Sequence, residues 1–404
     1  MRRRLGPATA AAAAAATAIA LALGVALAAR TGAAPERAPD LDPDRAALEF
    51  PRAWGAHPNA ALEWWYVTAV VRDDDGRAHG IQWTFFRVKA GGGDEALPGA
   101  RPHAPPSGAR SAWRAGDLYF AHVAHGDSVS HAFGVAERIG RSGPALAGAD
   151  TTDLHVWLGD WSLRREPDGR FRLRGGDGET IELVLTPSRP RPVAWGPAYR
   201  SAKSPDPRYY SRYQSDPAMA AAGTIRRAGG GARAVRGTAW FDHEWSDGAM
   251  DPAVVGWDWL GARLGDGRAV MLYRLRDAAG GARHFFGGIV GRDGRVTPLG
   301  AGQARMNPLR YWKSPRSGAR YPTAWRIWLE PPGAPRLTLD FEAAFDAQEL
   351  TTDRSTRVTY WEGMVGGTAE QGGARTRLEG YLEMTGYAGG GVPGRISSAG
   401  PRGR

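Results

Sequence analysis

Cysteine is absent from the 404-residue chain. That excludes disulfides, thiolate catalysis, cysteine zinc sites and a lipoprotein anchor. Lysine is scarce as well, occurring only at Lys89, Lys203 and Lys313, so the net charge of +10 rests on arginine. The arginines are spread among acids and never form a run of five or six basic residues, so nucleic acid is not an expected partner. No G-x-S-x-G elbow, H-E-x-x-H pair, P-loop or dinucleotide fingerprint is present, which removes the usual α/β-hydrolase, zincin and nucleotide-binding arrangements. Nor does any amphipathic helical pattern longer than about ten residues follow the N-terminal region.

What is present is tryptophan, sixteen residues of it, in a chain that is 42% apolar. An indole joins a large apolar body to one donor and suits a pocket or interface as well as a core. The length fits about two domains.

Arg2, Arg3 and Arg4 precede an uncharged run from Ala8 to Ala29, with small-residue exits at Ala26-Leu27-Ala28 and Gly32-Ala33-Ala34. This is the layout of an export signal. Residues 1–34 are therefore expected to be a signal peptide, with an N-terminal membrane anchor as the alternative, and the protein to be periplasmic or secreted. Residues 35–50, rich in Pro and Asp, read as a linker.

The remainder reads as strands. Leu62 to Val71 and Ile81 to Val88 flank Asp73-Asp74-Asp75-Gly76 and predict a hairpin. The Gly- and Pro-rich stretch from Gly91 to Gly108 predicts a loop. Arg189 to Ala222 looks irregular, and the domain boundary is placed there, giving domains over 51–222 and 223–390 and a disordered tail over 391–404. Trp257 to Leu264, Asp266-Gly267 and Ala269 to Arg276 predict a second hairpin. Trp64-Trp65-Tyr66 and Phe86-Arg87 match Trp257-Asp258-Trp259 and Tyr273-Arg274 at an offset of about 190. The expected fold class is all-β: two related antiparallel barrels in tandem, each wide enough for one small ligand.

The densest polar and aromatic cluster is Phe241-Asp242-His243-Glu244-Trp245. On a strand, Phe241, His243 and Trp245 share one face, and Asp242 and Glu244 share the other. An imidazole beside an indole could move a proton or orient an acid; the plainer alternative is a satisfied histidine at a barrel rim. Glu63, ahead of Trp64-Trp65-Tyr66, would have a raised pKa if buried among indoles. Asp258 invites the same argument, although alternation sets it opposite Trp257 and Trp259. His122 and His125, three apart, fall on opposite strand faces and make a poor metal site. No metal and no cofactor are expected.

The blocks HPNAALEWWYVTAVV from His57, IQWTFFR from Ile81, YYS from Tyr209, GTAWFDHEWSDG from Gly237 and WDWLGARLGDGRAVMLYRLR from Trp257 resemble the AttH-like family, also called the predicted secreted hydrolase group. That family is placed in the superfamily of carotenoid 1,2-hydratases, or hydroxyneurosporene synthases. The resemblance implies tandem lipocalin-like domains. It sets His243 and Trp245 on the family's His-x-Trp pair and Tyr273 on the tyrosine of the following strand. Where the hydratases carry a proton-donating aspartate, this chain has Leu275, which leaves the donor to Glu244, Glu63 or Asp258. Related fungal members catalyse cycloadditions with no acid, so the scaffold alone does not fix a reaction.

The expected catalytic residues are His243, Glu244, Trp245 and Tyr273. The expected ligand-binding residues are Glu63, Trp64, Trp65, Trp257, Asp258 and Trp259. Together they predict an exported protein that hydrates or hydrolyses a hydrophobic small molecule, a lipid or an isoprenoid. The alternative is a carrier of such a ligand serving an envelope ABC transport system.

Overall fold

The computed structural model describes residues 48–89, 116–227, 229–248 and 250–389. The expected signal, most of the linker, the Gly91 to Gly108 loop and the tail lie outside them. Period-two burial runs through the chain, as in Trp161–Arg165 and Glu179–Thr186, where every second side chain is buried. That pattern forces one sheet face inward and leaves the other for solvent or a neighbouring layer.

In chain order the first sheet contains β1 (Leu62–Asp73), β2 (Ala78–Val88), β3 (Leu118–Asp127), β4 (Phe133–Arg141), β5 (Ala147–Ala149), β6 (His155–Leu158), β7 (Trp161–Arg165), β8 (Phe171–Gly175), β9 (Glu179–Thr186), β10 (Val193–Ala194), β11 (Arg200–Ala202), β12 (Tyr210–Arg227) and β13 (Ala232–Ser246). The second contains β14 (Gly256–Leu264), β15 (Ala269–Arg276), β16 (Ala282–Val290), β17 (Val296–Gly300), β18 (Ala304–Lys313), β19 (Arg320–Leu329), β20 (Leu337–Ala343), β21 (Glu349–Thr351), β22 (Thr359–Gln371) and β23 (Ala374–Met384). The strand orders are β4-β3-β2-β1-β13-β12-β9-β8-β7-β6-β5 and β17-β16-β15-β14-β23-β22-β20-β19-β18. Both sheets are antiparallel and curl into lipocalin-like barrels.

The two orders superpose element for element around β1 and β14, so the expected tandem repeat is present. The pairing register corrects its alignment. Glu63 lies opposite Arg87, and Asp258 lies opposite Arg274. Trp64 therefore corresponds to Trp259, two residues from the match drawn on sequence.

The domain boundary also needs correction. Position 222 falls inside β12, an 18-residue strand, and β13 pairs with both β1 and β12. The chain passes to the second barrel between Ser246 and Gly256. Pro217 hid this strand, because proline is disfavoured in a ladder. Here it sits at a register shift between Asp216 and Met219, where the ladder is already interrupted.

Each barrel interior is filled by its own large side chains. Trp65, Trp83, Trp161 and Phe171 occupy the first, and Trp325, Trp361 and Tyr321 the second. A third apolar cluster joins the two barrels along a seam, where Tyr66, Tyr213 and Trp240 of the first meet Trp259, Tyr273 and Tyr381 of the second.

Candidate active site

Alternation along β13 sends the 241–245 cluster two ways, as the sequence predicts. Phe241 joins the first barrel's core. His243 lies fully buried in the same interior, 4.9 Å from the Trp65 ring and from the Trp245 ring, so it is not a rim histidine. Its Nε2 is 2.9 Å from Glu63 Oε1, and its Nδ1 is 3.2 Å from the Ala53 carbonyl and from Gln214 Nε2. His57, from the loop before β1, places Nδ1 2.8 Å from the same Glu63 oxygen and stacks on Trp245 at 3.7 Å. Arg87 donates to Glu63 Oε2 at 3.1 Å and to Asp117 at 2.7 Å.

This corrects the expectation for Glu63. Burial pushes its carboxyl pKa up, but the hydrogen bonds from His243 and His57 outweigh burial and hold it well below the carboxylate range. Glu63 is a fixed anion and not a neutral acid. Asp258 is the second barrel's counterpart, lying fully buried between Arg274 at 2.6 Å and Arg276 at 3.3 Å, with Tyr387 donating to it at 2.8 Å.

The other face of β13 looks into the seam. Asp242 accepts hydrogen bonds from Tyr213 at 2.8 Å, from Trp240 Nε1 at 2.6 Å and from Ser215. Burial nevertheless raises its pKa to about 7. Glu244 pairs with Lys203 Nζ at 2.8 Å. That ammonium is caged by the rings of Tyr213, Tyr273 and Phe286, whose centroids lie 4.8, 4.5 and 4.7 Å away. Burial pushes the Lys203 pKa down against the pull of Glu244.

From the second barrel, β22 and β23 set Glu362 directly opposite Glu383. Tyr66 of the first barrel donates its hydroxyl to Glu362. Burial pushes both glutamates above the carboxylate range; the negative Glu383 adds to the effect on Glu362, while a hydrogen bond from the Trp257 indole opposes it at Glu383. Glu383 keeps part of its surface exposed, whereas Asp242 and Glu362 are buried. A cleft of about 20 Å³, room for one water, opens on the same seam beside Val70, Trp240, Arg263 and Tyr381.

The structure thus divides the expected site residues among three places. Glu63, Trp65, His243 and Trp245 gather inside the first barrel, and Asp258 stands alone inside the second. Glu244, Trp257, Trp259 and Tyr273 meet at the seam, with Trp64 half-buried at its margin. Tyr273 does not join His243, because consecutive positions on β13 face opposite ways. Asp242, Lys203, Glu362 and Glu383 went unassigned as site residues. One signal for Glu383 was available: in the repeated order β23 stands where β13 does, and His-Glu-Trp over 243–245 corresponds to Leu-Glu-Met over 382–384.

A family model described as AttH-like matches residues 41–387. An AttH protein from Nitrosomonas europaea, solved by crystallography, is 34% identical with a TM-score of 0.71, over 85% of this chain and 98% of that one. Kievitone hydratase from Nectria haematococca is 14% identical with a TM-score of 0.61, over 84% of this chain and 93% of that one. CghA with Sch210972 is 12% identical with a TM-score of 0.50, over 84% and 90%; the last two likenesses are of fold. No curated protein sequence matches the chain.

Proposed function

The chain belongs to the AttH-like family, and from that premise we propose that it is a hydro-lyase acting on an apolar small molecule held at the seam between its barrels. The observation that carries this reading is the set of seam carboxyls, Asp242, Glu362 and Glu383, with pKa values raised by burial among indole and phenol rings. A carboxyl that keeps its proton near neutral pH is a general acid. Glu383, hydrogen-bonded to Trp257 and directly opposite Trp259, gives its proton to an alkene carbon. The resulting cation lies against the ring faces of Trp257, Trp259 and Tyr273. Water adds to the cation, and its surplus proton returns to the Glu383 carboxylate, so the acid is regenerated and the net change is addition of water.

A hydratase on this fold, the kievitone enzyme, makes water addition the first reaction to assay. The test is turnover of a lycopene-type alkene by wild type, Glu383→Gln and His243→Gln. A loss of about 10²–10⁴-fold is expected for Glu383→Gln and a much smaller loss for His243→Gln. Equal turnover by wild type and Glu383→Gln overturns the assignment.

A carrier is the second reading, favoured by the aromatic surface that Trp257, Trp259 and Tyr273 give the seam, which suits an apolar ligand whether or not an acid acts on it. It predicts an apolar ligand in native mass spectra of wild type and Glu383→Gln alike, with no turnover by either. We further propose export, on the Arg2–Arg4 and Ala8–Ala29 pattern, with delivery to or from an envelope ABC transporter in the carrier case.

A further inference from the structure

We propose that His57, Glu63 and His243 form a binding site for a divalent first-row transition-metal ion. The three side chains come from the loop before β1, from β1 and from β13, and their ligand atoms all lie within 4.8 Å of one another. The site is inside the first barrel, apart from the seam, so it stands or falls independently of the proposed reaction.

The second barrel provides an internal comparison. Its equivalent carboxylate, Asp258, is satisfied by arginines and a tyrosine alone, and the positions corresponding to His243 and Trp245 are Leu382 and Met384. A buried carboxylate–arginine pair is thus all this position needs for the fold. The first barrel adds two imidazoles, both aimed at one oxygen of Glu63.

The surroundings suit ligation. Metal-bound histidines commonly donate their other ring N–H to a carbonyl, which fixes the tautomer. His243 Nδ1 lies 3.2 Å from the Ala53 carbonyl and from Gln214 Nε2, so when a metal ion replaces the Nε2 proton that donates to Glu63 Oε1, an Nδ1 proton can donate to the carbonyl. The His57 ring is fixed by stacking on Trp245. Arg87 holds Oε2 of the Glu63 carboxylate, and the His57 backbone N–H donates to both of its oxygens at 3.0 Å.

Donor separations of 2.8 and 2.9 Å combine with bonds of about 2.0–2.2 Å to give ligand angles of about 90°. Two imidazoles with one carboxylate suit a divalent ion such as Fe(II), Co(II), Ni(II) or Zn(II). His57 is 17% exposed and provides the entry side.

The test titrates untagged, EDTA-treated full-length protein with Co(II) in a calorimeter. Binding of one equivalent at about 10 μM or tighter is expected, with a shift of the thermal midpoint upward. His57→Ala, a loop substitution whose folding is checked by its urea midpoint, should weaken binding by at least about tenfold. His131→Ala, at an exposed histidine, should leave binding unchanged. Binding weaker than about 1 mM, or equal affinity of wild type and His57→Ala, overturns the proposal.

Discussion

Glu63 and Asp258 are the same residue of the repeat: each is a fully buried carboxylate directly opposite an arginine on the next strand, Arg87 and Arg274. Removing one member of a buried ion pair costs about 3–5 kcal/mol, because the partner charge is left in a low-dielectric interior. Glu63→Gln and Asp258→Asn are each expected to lower unfolding free energy by about that amount, read from urea unfolding. Paired substitutions that also replace the arginine, Glu63→Gln with Arg87→Met, should recover part of the loss, since no unpaired charge remains.

Acid should weaken the first barrel through Glu63. Its folded pKa is depressed below the model-compound value of 4.5. The unfolded chain therefore takes up this proton first, and the contribution is complete above about pH 4.5 and is lost as pH falls toward the folded pKa. Wild type should lose stability steeply below about pH 4.5, and Glu63→Gln should show a shallower slope there. Parallel slopes for the two proteins would refute the assignment.

Lys203 and Glu244 form a pair with side chains only 13% and 5% exposed. Lys203→Met should destabilise by about 3–5 kcal/mol, because Glu244 is left buried without its cation. Adding Glu244→Gln should return most of that energy. A double-mutant cycle measures the coupling, and additive losses would show that the pair is not coupled.

Much of this arrangement was legible in the sequence. The β1–β2 and β14–β15 hairpins follow from alternation around Asp-Gly turns, and the two-faced split of 241–245 follows from strand periodicity. β12 was missed because Ser215-Asp216-Pro217 reads as a loop and Ala220-Ala221-Ala222-Gly223 has little strand propensity. Neighbours on both sides hold those residues in the ladder. Glu362 and Glu383 could not be placed beside Asp242 by spacing, because their meeting depends on barrel docking. The acid reading of Glu63 failed because His57 and Arg87, which neutralise it, arrive from separate segments.

The seam acids give the opposite pH dependence. Burial raises Asp242 from 3.8 to about 7, so between those values the folded chain holds a proton that the unfolded chain has released. That contribution is complete below about pH 3.8 and is lost as pH rises through about 7. Glu383 is raised for the same reason and extends the trend. Urea unfolding at pH 5, 6, 7 and 8 is therefore expected to show wild type losing stability with rising pH, with a smaller loss in Asp242→Asn. Turnover, which needs the protonated Glu383 carboxyl, should decline over the alkaline end of the same series. If turnover instead rose steadily with pH while Asp242→Asn kept the wild-type stability slope, the seam carboxyls would be ionised throughout and could not act as acids.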